Sequence, residues 1–266
     1  MACVSRRHAR LSRTAQIIEH KRRLERIAGR WRRLACGANH SVGPRDDGSV
    51  VTWGEQRDGQ RNHAPTDAGY VSVACGRRHS VALHESGRVV TWGDNRRNQM
   101  ADAPREAAYC GIACGANHSV ALRNDGRVVI WGGTSHEERS GAPTDAGYSH
   151  VATGSHAFHN VALRDDGRVV TWGIELNVRR DNGPRGAGYV SIGVGADHCA
   201  ALRCDGRVVT WGNNTHRHLE DAPRDAGCAA IACGFSHTCA LRTDGRVVTW
   251  GGRSHGQRRD APTDAG

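Results

Sequence analysis

From about residue 35 onward the chain alternates short apolar runs with glycine-marked polar turns, and the runs recur in a fixed order. Tyr70–Cys75 reads YVSVAC, His79–Leu83 reads HSVAL, and Arg88–Gly93 reads RVVTWG. Runs this short, rich in valine and bounded by turn residues, predict β-strands. The second and third runs are joined by Ser86-Gly87 here and by Asp-Gly in the other copies, as at Asp125-Gly126 and Asp244-Gly245. Asp-Gly between apolar runs predicts a tight hairpin whose two turn residues both take positive φ. A polar loop then leads to Ala-Pro. Pro65, Pro104, Pro143, Pro184, Pro223 and Pro262 hold that place, where a missing N–H suits an outer or edge strand, so each unit should carry three or four strands. No helical periodicity is seen between Trp31 and the C-terminus.

The Trp-Gly pair recurs at Trp53, Trp92, Trp131, Trp172, Trp211 and Trp250, with spacings of 39, 39, 41, 39 and 39 residues. A constant period in this range marks a repeat architecture, and short antiparallel strands repeated radially make a β-propeller. The combined run CGxxHSVALxxDGRVVTWG resembles the regulator of chromosome condensation repeat, over about residues 31–266. The resemblance implies an all-β propeller, usually of seven blades, acting through protein contacts. The sequence holds six repeats and reaches Asp264-Ala265-Gly266 where another inner strand would begin. Six blades or an incomplete seven-bladed ring both fit. Two repeats depart from the pattern: Gly43-Pro44 replaces Ala-Leu in the first, and GSHAFHNVAL in the fourth has two extra residues before His159.

Three ladders of residues read as framework. The six tryptophans should be buried, equivalent packing residues. His40, His79, His118, His159, His198 and His237 should be half-buried imidazoles that fix the start of a strand through backbone hydrogen bonds. Equivalent positions spread around a ring cannot converge on one metal ion, so no metal is expected there. Cys36, Cys75, Cys114 and Cys233 share a place taken elsewhere by Thr153 and Val194, which asks for a small side chain with little polarity. Neighbouring side chains on a strand face opposite ways, so a His-Ser pair such as His79-Ser80 is not a catalytic dyad within its strand. No phosphate loop, HExxH, nucleophile elbow or dinucleotide fingerprint occurs. The chain is therefore expected to be non-enzymatic and to need no cofactor.

Charge divides the molecule. Residues 1–33 carry eleven basic residues against Glu19 and Glu25, a net of +9, whereas the remainder is nearly neutral. The division sets a basic arm, residues 1–30, before a propeller spanning 31–266. In the arm Leu11, Ala15, Ile18, Leu24, Ile27 and Ala28 approximate one helical stripe. Its cations, Arg6, Arg7, Arg10, Arg13, Lys21, Arg22, Arg23 and Arg26, are candidates for binding nucleic acid or another polyanion. A solvated basic helix and a mitochondrial presequence are the other readings. No apolar run approaches a membrane span, and the cysteines follow no disulfide spacing, so the chain is expected in the cytoplasm or nucleus, with the mitochondrion as the alternative.

What varies between repeats lies in two loops, one before the histidine and one after Trp-Gly. Candidate partner-binding residues there are Arg77, Arg78, Arg96, Arg97, Arg179, Arg180, Phe235, Arg253, Arg258 and Arg259. The leading functional expectation is a protein-interaction scaffold with a polar, electrostatically driven interface. The alternative is a nucleotide exchange factor for a small GTPase, with chromatin or nucleic acid bound through the arm, as the resemblance implies. If the ring closes, repeat 6 should join the arm in a positive seam.

Overall fold

The computed structural model describes residues 34–133, 138–173, 183–214 and 219–252. They form six separate three-stranded antiparallel sheets, each built from consecutive strands. Blade 1 comprises β1 (Ala35–Cys36), β2 (His40–Pro44) and β3 (Val50–Gly54). Blade 2 follows with β4 (Tyr70–Cys75), β5 (His79–His84) and β6 (Val89–Gly93), and blade 3 with β7 (Tyr109–Cys114), β8 (His118–Arg123) and β9 (Val128–Gly132). Blade 4 is β10 (Tyr148–Ala152), β11 (His159–Arg164) and β12 (Val169–Gly173). Blade 5 is β13 (Tyr189–Val194), β14 (His198–Arg203) and β15 (Val208–Gly212). Blade 6 is β16 (Cys228–Cys233), β17 (His237–Arg242) and β18 (Val247–Gly251). There is no α-helix among the described residues.

Among the described residues no blade has a fourth strand. Pro65, Pro104, Pro143, Pro184 and Pro223 lie in connecting loops, because their flanking residues find no strand to pair with. The hairpin turns also differ from expectation. Only the glycine takes positive φ, at 84° for Gly87 and 80° for Gly126. In blade 2 the Gly87 N–H donates to His84 O at 2.9 Å and the His84 N–H to Arg88 O at 2.9 Å. This is a type I turn closed by a left-handed glycine, the usual three-residue hairpin loop, and it needs one positive φ instead of two.

Apolar packing runs between blades. Trp92 of blade 2 is buried with Val42 of blade 1, Trp131 with Val81 and Leu83 of blade 2, and Trp172 with Val120 and Leu122 of blade 3. Trp211 and Trp250 repeat the arrangement. Each tryptophan therefore faces the preceding blade, and Trp92, Trp131, Trp172, Trp211 and Trp250 are at most 2% exposed. Trp53 is not equivalent: it is 45% exposed. Among the described residues no blade precedes blade 1, so nothing covers this ring. At the other end Leu241 of blade 6 is 44% exposed, while its equivalents Leu83, Leu122, Leu163 and Leu202 are buried. The interleaved packing that joins every other neighbouring pair is not made between blade 6 and blade 1. The positive seam expected from closure rests on the arm and on Arg253, Arg258 and Arg259, which lie outside the described residues.

Candidate binding face

The histidine ladder sets the geometry of one face. Each imidazole is buried except that of His237, and it reaches forward to the next blade. His40 Nε2 lies 2.9 Å from Ser80 Oγ, His79 Nε2 2.9 Å from Ser119 Oγ, His118 Nε2 2.7 Å from Asn160 Oδ1 and His198 Nε2 2.8 Å from Thr238 Oγ1. The residue after the histidine in blades 2, 3, 4 and 6 is thus the acceptor or donor for the previous blade's ring. This corrects the expectation of half-buried rings, since five of the six are buried, and adds side-chain partners on the facing blade to the backbone groups of His79, His118 and His198 that act on the rings of His40, His79 and His159. Burial pushes the His79 ring down to about 3 and those of His118 and His159 to about 4, because the charged form would lose its hydration. The cross-blade His and Ser are sealed from substrate, which leaves them a structural task.

Glycine before the ladder makes room for it. A Cβ on Gly76 would stand 2.2 Å from His79 Cε1 and 2.6 Å from the Gly115 carbonyl of the next blade. The shared cysteine place behaves as its residue types require in the interior: Cys75, Cys114 and Val194 are buried, Cys233 is half-buried, and Cys36, in the end blade, is exposed. Burial pushes the Cys75 and Cys233 thiols up to about 12. Every cysteine among the described residues is a free thiol.

Both variable loops lie on this face. The strand register pairs His40 with Gly54 and His79 with Gly93, so the pre-histidine loop and the post-tryptophan loop emerge together. They are bonded to each other: the Glu55 N–H donates to Asn39 O at 2.8 Å, Asp94 N–H to Arg78 O at 3.0 Å, and Asn213 N–H to Asp197 O at 2.9 Å. The pre-histidine loops also bond from blade to blade, Arg77 N–H to Ala116 O, Ala116 N–H to Ala157 O and Ala196 N–H to Phe235 O. The opposite face carries a repeated framework. Tyr70 donates to Asp67 at 2.8 Å and Arg88 pairs with the same carboxylate at 2.6 Å; Tyr109, Glu106 and Arg123, and Tyr148, Asp145 and Arg164, do likewise.

Of the arginines predicted for binding, two are engaged. Arg78 Nε lies 2.9 Å from Asp58, and Arg96 pairs with both Asp58 and Asp94. Arg77 and Arg97 are exposed and have no ion pair among the described residues. Arg179, Arg180, Arg253, Arg258, Arg259 and the whole basic arm lie outside the described residues.

A central cavity of about 730 Å³ runs between the first strands of the blades, lined by Cys36, Cys75, Cys114, Val194 and Cys233 among others. At its mouth on the variable face a second cavity of about 320 Å³ is bounded by Ser155, His156, Ala196 and Phe235. The His156 and Phe235 rings meet edge to face with centroids 5.1 Å apart, and Phe235 is 57% exposed. Burial, and then the charge of Arg77, lower the His156 ring's affinity for a proton. Residues of blades 1, 4, 5 and 6 therefore line one opening, with Phe158 39% exposed on the same insert-bearing loop. His156 and Phe158 were missed from sequence because the two extra residues break the alignment of repeats at that point. A further hidden regularity lies seven residues after Trp53, Trp92 and Trp131: Gln60, Gln99 and Glu138 are all buried, and the two glutamines accept from the Asp58 and Arg97 N–H groups.

The regulator of chromosome condensation (RCC1) repeat model matches residues 31–60, 70–99, 109–137, 189–217 and 228–257. The chain belongs to this family. Its expanded fourth repeat falls between the matched segments. No curated protein matches the chain. Among solved structures the fold is similar to the CRINKLY WD40 ectodomain of the Arabidopsis thaliana receptor kinase ACR4, at 22% identity over 82% of this chain and 83% of that one, with a TM-score of 0.67. Human WBSCR16 gives 20% identity over 82% and 75%, with a TM-score of 0.64. Prp20p from Saccharomyces cerevisiae, described with its binding to Gsp1p and histones, gives 19% over 82% and 71%, with a TM-score of 0.65. Such identities establish the RCC1-type propeller architecture and no more.

Proposed function

We propose that this RCC1-repeat protein is a non-enzymatic interaction scaffold whose partner protein sits on the variable face, over the mouth of the central cavity. The observation that carries this reading is the meeting of His156 and Phe235, from blades 4 and 6, at one opening, with the charge of Arg77 of blade 2 acting on the His156 ring. An exposed aromatic packed on an imidazole that feels a nearby cation, on loops cross-bonded from blade to blade, is the composition of a binding hot spot. The partner should offer an apolar side chain to the opening and an acidic group to Arg77. The test is affinity capture with the wild-type chain, an Arg77→Glu/His156→Ala/Phe235→Ala variant, and an Arg105→Glu/Arg224→Glu control on the opposite face. Partners lost only with the triple variant support the reading. A partner list unchanged by the triple variant overturns it.

A second reading rests on the separation of charge, since the net +9 of residues 1–33 adjoins a nearly neutral body. Through that arm the chain would bind duplex nucleic acid or another polyanion with strong salt dependence. Titration of labelled duplex at several salt concentrations, with and without residues 2–28, tests it. Binding that survives the deletion would refute it. Exchange activity on a small GTPase, the further possibility offered by family membership and by the Gsp1p binding described for Prp20p, is tested by nucleotide release from a Ran-like GTPase, where no acceleration dismisses it.

A further inference from the structure

The exposed side of blade 1 is an apolar surface with a defined centre. Gly43 stands where blades 2 to 6 carry alanine, and a Cβ there would lie 2.6 Å from Leu34 Cδ2 and 3.6 Å from the Trp53 ring. Leu34, Gly43 and Trp53 therefore form one contiguous patch, with Leu34 69% and Trp53 45% exposed. In every later blade the corresponding alanine and tryptophan are buried against the preceding blade. A stack of repeats needs its terminal unit covered by something apolar on one side and polar on the other. We propose that the chain's own N-terminal arm is this cover: Ile17, Leu24, Ile27 and Ala28, which share one face at helical spacing, lie on Leu34 and Trp53, with Arg22, Arg26 and Arg30 on the reverse side facing solvent.

Three observations select the arm over other occupants. It is continuous with the patch, because residue 33 is bonded directly to Leu34, itself one wall of the surface. Tethering at that point gives the arm a high effective concentration, which a second copy or a free partner lacks. Its amphipathic pattern also matches what the patch needs, an apolar stripe with a basic reverse side that stays hydrated. The opposite end of the arc presents Leu241, a smaller surface from which the arm does not depart. This inference does not depend on which protein occupies the variable face.

The experiment reads Trp53 directly. Acrylamide quenching is compared between the full chain and its Trp53→Phe variant, so that the difference reports Trp53 alone. It is repeated in a chain carrying Ile17→Asp, Leu24→Asp and Ile27→Asp, and in one lacking residues 2–28, which keeps Trp31. Amide hydrogen exchange in blades 3 to 5 confirms that the propeller is folded in each. Expected is a Trp53 that is shielded in the full chain and quenched several-fold faster in both altered chains, with faster exchange confined to β1 and β3. Equal quenching in all three chains overturns the proposal. Shielding that appears only as protein concentration rises also overturns it, since a second copy would then be the occupant.

Discussion

The Nε2 of His40 lies 2.9 Å from the Oγ of Ser80, a hydroxyl one blade further along the chain. The same link joins His79 to Ser119 and His198 to Thr238, while in blade 4 the neighbour is Cys199 and the His159 Nε2 has no partner. Removing one member of a buried pair leaves the other unsatisfied, at a cost of about 1–3 kcal/mol. Ser119→Ala should lower stability by that amount in urea unfolding. His237→Ala, which breaks no such link among the described residues, should change it by less than about 0.5 kcal/mol. Equal effects at the two sites would deny the ladder its role.

Acid should weaken the fold through the same imidazoles. His79, at about 3, and His118 and His159, at about 4, stay neutral when folded, whereas in the unfolded chain each titrates near the ordinary value of about 6.5. Below that value the unfolded state takes up protons that the folded state refuses. Stability is therefore full above about pH 6.5 and falls as pH drops toward the folded values, by about 1.4 kcal/mol per pH unit per fully coupled histidine. Urea midpoints measured from pH 7.5 to 4.5 should be flat and then decline steeply. A level profile to pH 4.5 would contradict the burial.

Position along the arc should decide what an identical substitution costs. Leu122 is 4% exposed and Leu241 44%, yet both occupy the same place in their strands. Leu122→Ala should cost about 2–5 kcal/mol and Leu241→Ala about 1 kcal/mol or less. Trp131→Ala, in a fully buried position, should cost about 3–5 kcal/mol. Thermal melts of the three variants check the order.

Gly76 and Gly186 separate crowding from backbone conformation. Alanine at Gly76 meets the His79 ring and a neighbouring carbonyl, so Gly76→Ala should destabilise by about 3 kcal/mol or more. Gly186 has φ of +94° with nothing within 4 Å, and Gly186→Ala should cost only about 1–2 kcal/mol, the price of a left-handed alanine. Chemical unfolding distinguishes the two.

Thiol labelling gives a view of the same burial. Cys36 and Cys110 are exposed, and Cys75, Cys114 and Cys199 are buried. A water-soluble maleimide should modify the first pair in the native protein and reach the other three only on unfolding, as mass spectrometry of peptides would reveal.

Much of this architecture could be read from the chain because each repeat solves the same physical problem. The Trp-Gly period, the valine runs and the glycine turn located every strand triple, and the sole glycine requirement in the turn was hidden only by the several hairpin types that accept Asp-Gly. Pro65 and its equivalents misled because an apolar neighbour next to proline fits an edge strand and a loop equally. Trp53 and Leu241 could not be told from their siblings, since repetition records what a position needs and not whether the neighbour that supplies it is present. The opening between His156 and Phe235 was invisible for a different reason: its parts lie in blades 4 and 6, and only curvature of the arc brings them together.

The forward reach of each histidine gives the array a polarity with a consequence for its length. Apart from the joint between blades 4 and 5, where Cys199 faces His159, each described unit offers one imidazole ahead or one hydrogen-bonding side chain behind, and blades 2 and 3 offer both, as plug and socket. A tandem duplication inside such an array breaks one joint and makes two of the same kind, and a deletion does the reverse. Neither creates a mismatched junction, only a change in circumference. The number of units is thus free to drift by whole repeats, and the residues that must adapt are those at the two ends.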